Sequence, residues 1–182
     1  MKKVVRTLCD DITYLFFNSF VSWIPFWPLR KLFYVLGGMR IGKGSRILRN
    51  TRVVKPSGIV IGDRTYINEC CFLDGRSQIE IGNDVTIAIY TKIITGGHEI
   101  NDNLFGYKGD KIVIGDNVAI FANSTILAGA HIQEGCVVCA MSLIKKGVYE
   151  KLGVYGGNPA VYLKKRICDL SYKQDYWHPV FR

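Results

Sequence analysis

A large aliphatic residue returns every sixth position through most of the chain: Ile41, Ile47, Val53; Ile61, Ile67, Leu73; Ile81, Ile87, Ile93; Ile114, Ile120, Ile126; Ile132, Val138, Ile144. The fifth residue of each of these fifteen hexads is small, from Ser45, Thr51 and Ser57 at the start to Cys136, Ser142 and Val148 at the end. A period of six matches neither the 3.6 of an amphipathic helix nor the alternation of a flat sheet. It suits a triangular coil in which each of three sides is one short strand, with the aliphatic residue inside and the small residue at the corner. Three hexads make one coil, so the pattern predicts five coils at about 4.8 Å each. Ile-Gly pairs at Ile41, Ile61 and Ile81 mark a 20-residue coil, whose two residues beyond eighteen are assigned to bulges at Gly58–Val60, Gln78–Glu80 and Lys111–Val113.

The next Ile-Gly pair, Ile114-Gly115, comes 33 residues after Ile81, one period plus 13. The surplus must leave the prism as one extruded loop, about residues 97–109, containing His98, Glu99, Asn101 and Asp102. Interruptions of so regular a solenoid usually serve function. The predicted organisation is an all-β solenoid over residues 41–160, an N-terminal helical, apolar element over residues 1–40, and a short C-terminal cap over residues 161–182, helical in one reading.

Composition changes this picture in three places. The net charge of +9 lies wholly in the first third: residues 1–60 hold eleven Lys and Arg against two Asp, and residues 61–182 thirteen against thirteen. A uniformly basic nucleic-acid binder is therefore disfavoured, and no nucleic-acid partner is expected. The run Ile12–Leu29 is uncharged, but Pro25 and Pro28 shorten its helical part to about 20 Å, short of the roughly 30 Å of a bilayer core. From Arg30 to Lys55 stand eight basic residues and no acidic one, directly after aromatic residues including Trp23, Phe26 and Trp27. Peripheral contact of residues 12–55 with an anionic membrane is one expectation and capping of the first coil is the other. Six cysteines without a recognisable export signal, Cys70 and Cys71 being adjacent, read as reduced thiols in a cytoplasmic protein, either free in the cytoplasm or at the inner face of the cell membrane.

The stretch IGDNVAIFANSTILAGAHIQEGCVVCAMSLIKKGVYEKLGVYGGNPA, the TGGH that opens the loop and the GGNPA that ends the coils resemble the hexapeptide-repeat acyltransferases, nearest to the maltose, galactoside and polysaccharide-biosynthesis O-acetyltransferases. The resemblance spans about residues 41–166 and implies a left-handed parallel β-helix, a homotrimer and acetyl-CoA as acyl donor. The left hand comes from the resemblance alone, because general rules for parallel crossovers favour the right. It also implies His98 as general base, Asn68 and Asp74 as acceptor-binding residues, and Ala122, Ala140, Lys145, Lys146 and Lys164 along the coenzyme A groove. The chain departs from the family pattern at Ala119, Phe121, Met141 and Tyr149.

The residues suit that chemistry. Acetyl transfer to a hydroxyl needs a base as oxygen attacks the thioester, and an imidazole can serve near neutral pH. Lys145 to Arg166 holds six basic residues and one acid, suited to the phosphates of coenzyme A. The expected function is O-acetylation of a saccharide in surface polysaccharide assembly. Alternatives are N-acetylation of a nucleotide-linked amino sugar, a γ-carbonic-anhydrase-like metal site in which, of the three histidines His98, His131 and His178, the first two converge across a subunit interface with Cys136 as third ligand, and a non-catalytic scaffold. No metal is expected, since Cys136 and Cys139 alone fall short of a structural zinc set.

Overall fold

The computed structural model describes residues 2–175, with no side chains described for residues 2–7 and 9; His178 and the end of the C-terminal segment lie outside the described residues. Three parallel sheets form the sides of a left-handed prism. The first face stacks Arg40–Ile41, Ile59–Ile61, Ile79–Ile81, Ile112–Ile114, Ala130–Ile132 and Gly147–Tyr149. The second runs from Arg46–Ile47 to Gly153–Gly157, and the third from Arg52–Val54 to Leu143–Ile144. Registers pair equivalent hexad positions, as in Ile47↔Ile67, Ile67↔Ile87 and Ile87↔Ile120. The aliphatic columns are the core: all fifteen positions are buried except Ile41, which is partly buried and packs against the others.

At two of the three corners the small residues do more than save space. Between the first and second faces, the Ser45 hydroxyl donates to Gly62 O at 2.5 Å and accepts from Thr65 N at 2.9 Å. Thr65 Oγ1 donates in turn to Gly82 O at 2.7 Å and accepts from Val85 N at 3.1 Å. The Ile-Gly signal has a steric cause: a Cβ on Gly62 would stand 2.6 Å from the Gly82 carbonyl carbon of the next coil, closer than any side chain tolerates. The adjacent Asp63 and Asn83 continue the stitching, with Asp63 N donating to Asn83 Oδ1 at 2.8 Å. The third corner departs from expectation, because Ser57, Gly97 and Val148 are exposed there.

The structure alters four other details. A sixth, incomplete turn follows the five expected, with Tyr149 and Tyr155 in place of the aliphatic columns and meeting edge to face at 4.9 Å. The surplus residues of the 20-residue coils form short 3₁₀ turns at Pro56–Gly58 and Gly75–Ser77, mostly ahead of the expected bulges. The C-terminal segment contains no helix among the described residues. Instead Ala160–Lys165 folds back antiparallel on the second face at Gly153–Gly157. Residues 166–175 then run down the first corner as a strap. Arg166 N donates to Leu152 O, Asn117 Nδ2 to Tyr172 O, and Gln174 N to Asp84 Oδ1 at 2.8 Å. Asp84 also takes a two-point ion pair from Arg64, at 2.8 and 2.7 Å.

The N-terminal element plugs the open first coil. Helix α1, Lys2–Leu15, continues through a π segment, Phe16–Phe20, and a 3₁₀ turn, Val21–Trp23, and Pro28 starts helix α2, Trp27–Leu36. Asn18 fastens it to the third face by donating to Val53 O and accepting from Val53 N, at 2.8 and 2.7 Å. Phe17, Val21, Trp27, Tyr34 and Met39 close the prism, and burial pushes the Tyr34 hydroxyl up to about 12. Arg30 is fully buried in this plug and donates to the Ile24, Pro25 and Ile47 carbonyls. Among the described residues no helix is long and apolar enough to cross a membrane.

Candidate active site

The surplus residues leave at the corner between the third and first faces as a β-hairpin, Gly96–His98 paired with Tyr107–Gly109. Its tip is shaped by Asp102, whose carboxylate accepts from the Leu104 and Gly106 main-chain N–H groups at 3.1 and 3.0 Å. Those two bonds hold the Asp102 carboxyl below its ordinary range. Glu99 and Lys108 form an ion pair across the hairpin.

His98 is the last residue of the outgoing strand and is exposed. Its Nδ1 lies 2.8 Å from the Phe105 carbonyl oxygen. A carbonyl only accepts, so Nδ1 carries a proton, and in the neutral imidazole the lone pair is on Nε2. The Phe105 ring stacks on the imidazole at 4.6 Å with 2° between planes, and Tyr107 meets it edge-on at 6.5 Å. Tyr107 is itself placed by Ser77 Oγ at 2.8 Å and by the Arg76 guanidinium over its ring at 5.3 Å. His98 opens onto a cleft of about 410 Å³ lined on the prism side by Ile94, Leu127, Ala128, Lys145 and Lys146. Two larger clefts, of about 520 and 460 Å³, flank the N-terminal element and do not include His98.

His98, Lys145 and Lys146 therefore share one cleft. Lys146 Nζ is paired with Asp110 Oδ2 at 2.8 Å, which lowers the Asp110 carboxyl. Tyr149 OH ties down the neighbouring turn, accepting from Lys145 N at 3.0 Å and donating to Lys145 O at 3.2 Å. Asp74 lies one coil below the hairpin, fully buried. Both its oxygens are taken by Arg76, at 2.8 and 2.9 Å, so Arg76 rather than Asp74 faces outward. Asn68, Ala122 and Ala140 stand at a different corner, between the second and third faces, and Lys164 lies on the folded-back strand. One chain does not bring these four to His98.

The corner that carries Asn68 also bears an apolar stripe, Tyr90, Phe121 and Met141, each half or more exposed. Among the described residues no group of three or more His, Cys, Asp or Glu could hold a metal. His131 is exposed on the first face, and the buried Cys136 thiol donates to Glu150 O at 2.8 Å. Burial pushes the Cys71 thiol up to about 12, as befits a corner filler. Sequence reasoning missed Phe105 and Tyr107, which hold the imidazole, and Asp110, which holds Lys146. The two aromatics flanking Gly106 were the available cue, since Tyr107 is the register partner of His98.

The family described as "Bacterial transferase hexapeptide (six repeats)" matches residues 111–146. A protein of Lysinibacillus sphaericus assigned as a macrolide acetyltransferase is 40% identical over 130 residues, 65% of this chain and 71% of that one. The chain belongs to the hexapeptide-repeat acetyltransferases. WcaF of Escherichia coli K12, assigned as an acetyltransferase of colanic acid biosynthesis, is 27% identical over 148 residues, 80% of this chain and 81% of that one. A solved hexapeptide-repeat acetyltransferase of Vibrio cholerae, complexed with acetyl-CoA, superposes with a TM-score of 0.71 at 28% identity, covering 76% of each chain. Family membership accounts for the prism, and the hairpin at its third corner is the part on which an acyltransferase reading of this chain turns.

Proposed function

We propose that this acetyltransferase moves the acetyl group of acetyl-CoA onto a hydroxyl of a saccharide in surface polysaccharide assembly, with His98 as general base. The observation that carries the reading is the bond from His98 Nδ1–H to the Phe105 carbonyl, which in the neutral imidazole assigns the lone pair to Nε2, on a ring that opens onto a cleft containing two lysines. Nε2 takes the acceptor's hydroxyl proton as the oxygen attacks the thioester carbonyl; the C–S bond then breaks, and the coenzyme A thiolate leaves and recovers that proton from the imidazolium. Lys145 and Lys146 are suited to the donor's phosphates, Lys146 by exchanging its Asp110 partner. The acetyl-CoA complex of the Vibrio relative supports the donor, and WcaF supports the acceptor class. The 40% identity to the macrolide acetyltransferase favours a second acceptor class, the hydroxyl of an antibiotic.

Because Asn68, Ala122 and Ala140 stand at another corner, the reading includes a trimer in which that corner of one subunit meets the His98 cleft of the next. The exposed apolar stripe of Tyr90, Phe121 and Met141 at that corner supports it, since such a seam would cover these side chains. Thiol release from acetyl-CoA across a panel of sugars, amino sugars, lipid-linked sugars and macrolides identifies the acceptor. An ester product, cleaved by mild alkali, is expected, and an amide that survives alkali overturns O-transfer. His98→Ala is expected to lower kcat by roughly 10²- to 10⁴-fold. An unchanged kcat removes His98 from the chemistry. Mixing His98→Ala with an Asn68→Ala variant should regain activity that neither has alone, because some seams then pair an intact His98 with an intact Asn68 of the next subunit, and no regain argues against shared sites.

A further inference from the structure

Helix α2 is apolar on both sides. Trp27, Arg30 and Tyr34 face the first coil and are buried, while Leu29, Leu32 and Leu36, at i, i+3 and i+7, are 42%, 52% and 73% exposed on the opposite side, facing away from the prism. A helix that is hydrophobic all round is ordinarily covered all round. Helix α1 supplies a second stripe, Leu8, Ile12 and Leu15, also exposed. Aromatic rings join the two stripes: Phe16 lies 5.6 Å from Phe33 and 5.7 Å from Phe20, and Phe20 lies 6.3 Å from Phe33. Trp23 and Phe26 extend the patch, both exposed. The end of the prism remote from the sixth turn is thus one continuous apolar surface.

The charges beside that surface indicate what covers it. Residues 12–62 contain no Asp or Glu, and Arg40, Lys43 and Lys55 are exposed on the first coil just behind the plug. The acidic groups of the element are Asp10 and Asp11, both on α1. A second copy docked plug to plug would bring the basic margins of both chains together, since a two-fold contact joins the same surface patch of each copy. An anionic lipid surface instead matches both features, taking apolar and aromatic side chains into the headgroup boundary and cations at the phosphates.

We propose that the outer face of this plug docks on an anionic membrane surface, with Leu29, Leu32, Leu36 and Trp23 inserted and Arg40 and Lys43 meeting the headgroups, so that the prism stands away from the lipid. The test is sedimentation of the full-length protein with vesicles of phosphatidylcholine, alone or mixed with phosphatidylglycerol, at low and high salt. Pelleting should require phosphatidylglycerol and fall severalfold at high salt, because exposed charges are screened. It should be lost in Leu29→Ser/Leu32→Ser/Leu36→Ser and reduced in Arg40→Glu/Lys43→Glu. These side chains are exposed, so thermal unfolding of both variants should match wild type, and neither readout depends on acetyl transfer. Wild type that stays in the supernatant with phosphatidylglycerol vesicles overturns the proposal. So does equal pelleting of wild type and the leucine variant, or a fall in oligomeric mass of the leucine variant by light scattering, which would assign the patch to a second copy.

Discussion

Replacing Phe105 by Ala separates the two contacts that hold His98. The hydrogen bond runs to the Phe105 main-chain oxygen and survives the substitution, whereas the parallel ring stack at 4.6 Å is lost. Aromatic pairs of this kind contribute about 0.5–1.5 kcal/mol beyond their buried area, which corresponds to roughly a 2- to 12-fold change in the population of the held rotamer. The expected result is a kcat lowered by up to about tenfold, well short of the loss on removing the imidazole. Steady-state thiol release at saturating acetyl-CoA and acceptor measures this. Phe105→Leu, which keeps bulk but not the flat ring, should fall between. A Phe105→Ala enzyme with wild-type kcat would refute the claim that stacking positions the base, and one as inactive as His98→Ala would show that the hairpin itself depends on the ring.

Two further substitutions address the scaffold. Thr65→Val keeps size and shape but leaves the buried Val85 N–H without its hydroxyl partner and removes the bond to Gly82 O, at a cost of about 1–2 kcal/mol. Its Tm should fall by about 5 °C, with Thr65→Ser closer to wild type; equal Tm values for Val and wild type would mean the corner needs only a small residue. Asp84 is held below its ordinary carboxyl value of 3.8, first by the hydrogen bond from Arg64 and then by the Gln174 main-chain N–H, against the opposing effect of its burial. A depressed carboxyl contributes stability that is present above the ordinary value and lost as pH falls through the native one. The protection factor of the Gln174 amide, its exchange rate relative to an unprotected amide at the same pH, should accordingly fall on acidification below 3.8 in wild type and show no such step in Asp84→Asn.

The hexads carried the three faces and the interior columns into view because every coil repeats the same local demands: an aliphatic residue for the interior, and a glycine where the next coil's backbone passes too near for Cβ. His98 was legible for the same reason, as the residue at the mouth of the one break in the period. What stayed hidden was aperiodic. Gln174 bonds Asp84 across 90 positions, and no local pattern announces such a contact. Arg30 reads as a surface charge beside an apolar run, yet it is buried because the ends of the plug and of the first coil offer it carbonyl oxygens. Asp74 is expected from the resemblance to bind the acceptor, and only the folded backbone reveals that Arg76 occupies both its oxygens. Asn68 precedes His98 by thirty residues: one 20-residue coil leads to Ala88 at the same corner, and the remaining ten follow the third face to the next corner, so the two do not meet within one chain.

The strap at the first corner changes how the stack comes apart. In a solenoid each coil is normally held by its two neighbours alone, so the ends can fray one turn at a time. Here the segment from Arg166 to Gln174 links the sixth turn at Leu152, the fifth coil at Gly135, the fourth at Asn117 and the third at Asp84, and Asp84 grips Arg64 of the second. Peeling the last turn away means dragging on a cord tied three levels lower, while the plug blocks the opposite end. Loss of one turn is therefore coupled to loss of the rest, and the stack is expected to melt as a single cooperative unit.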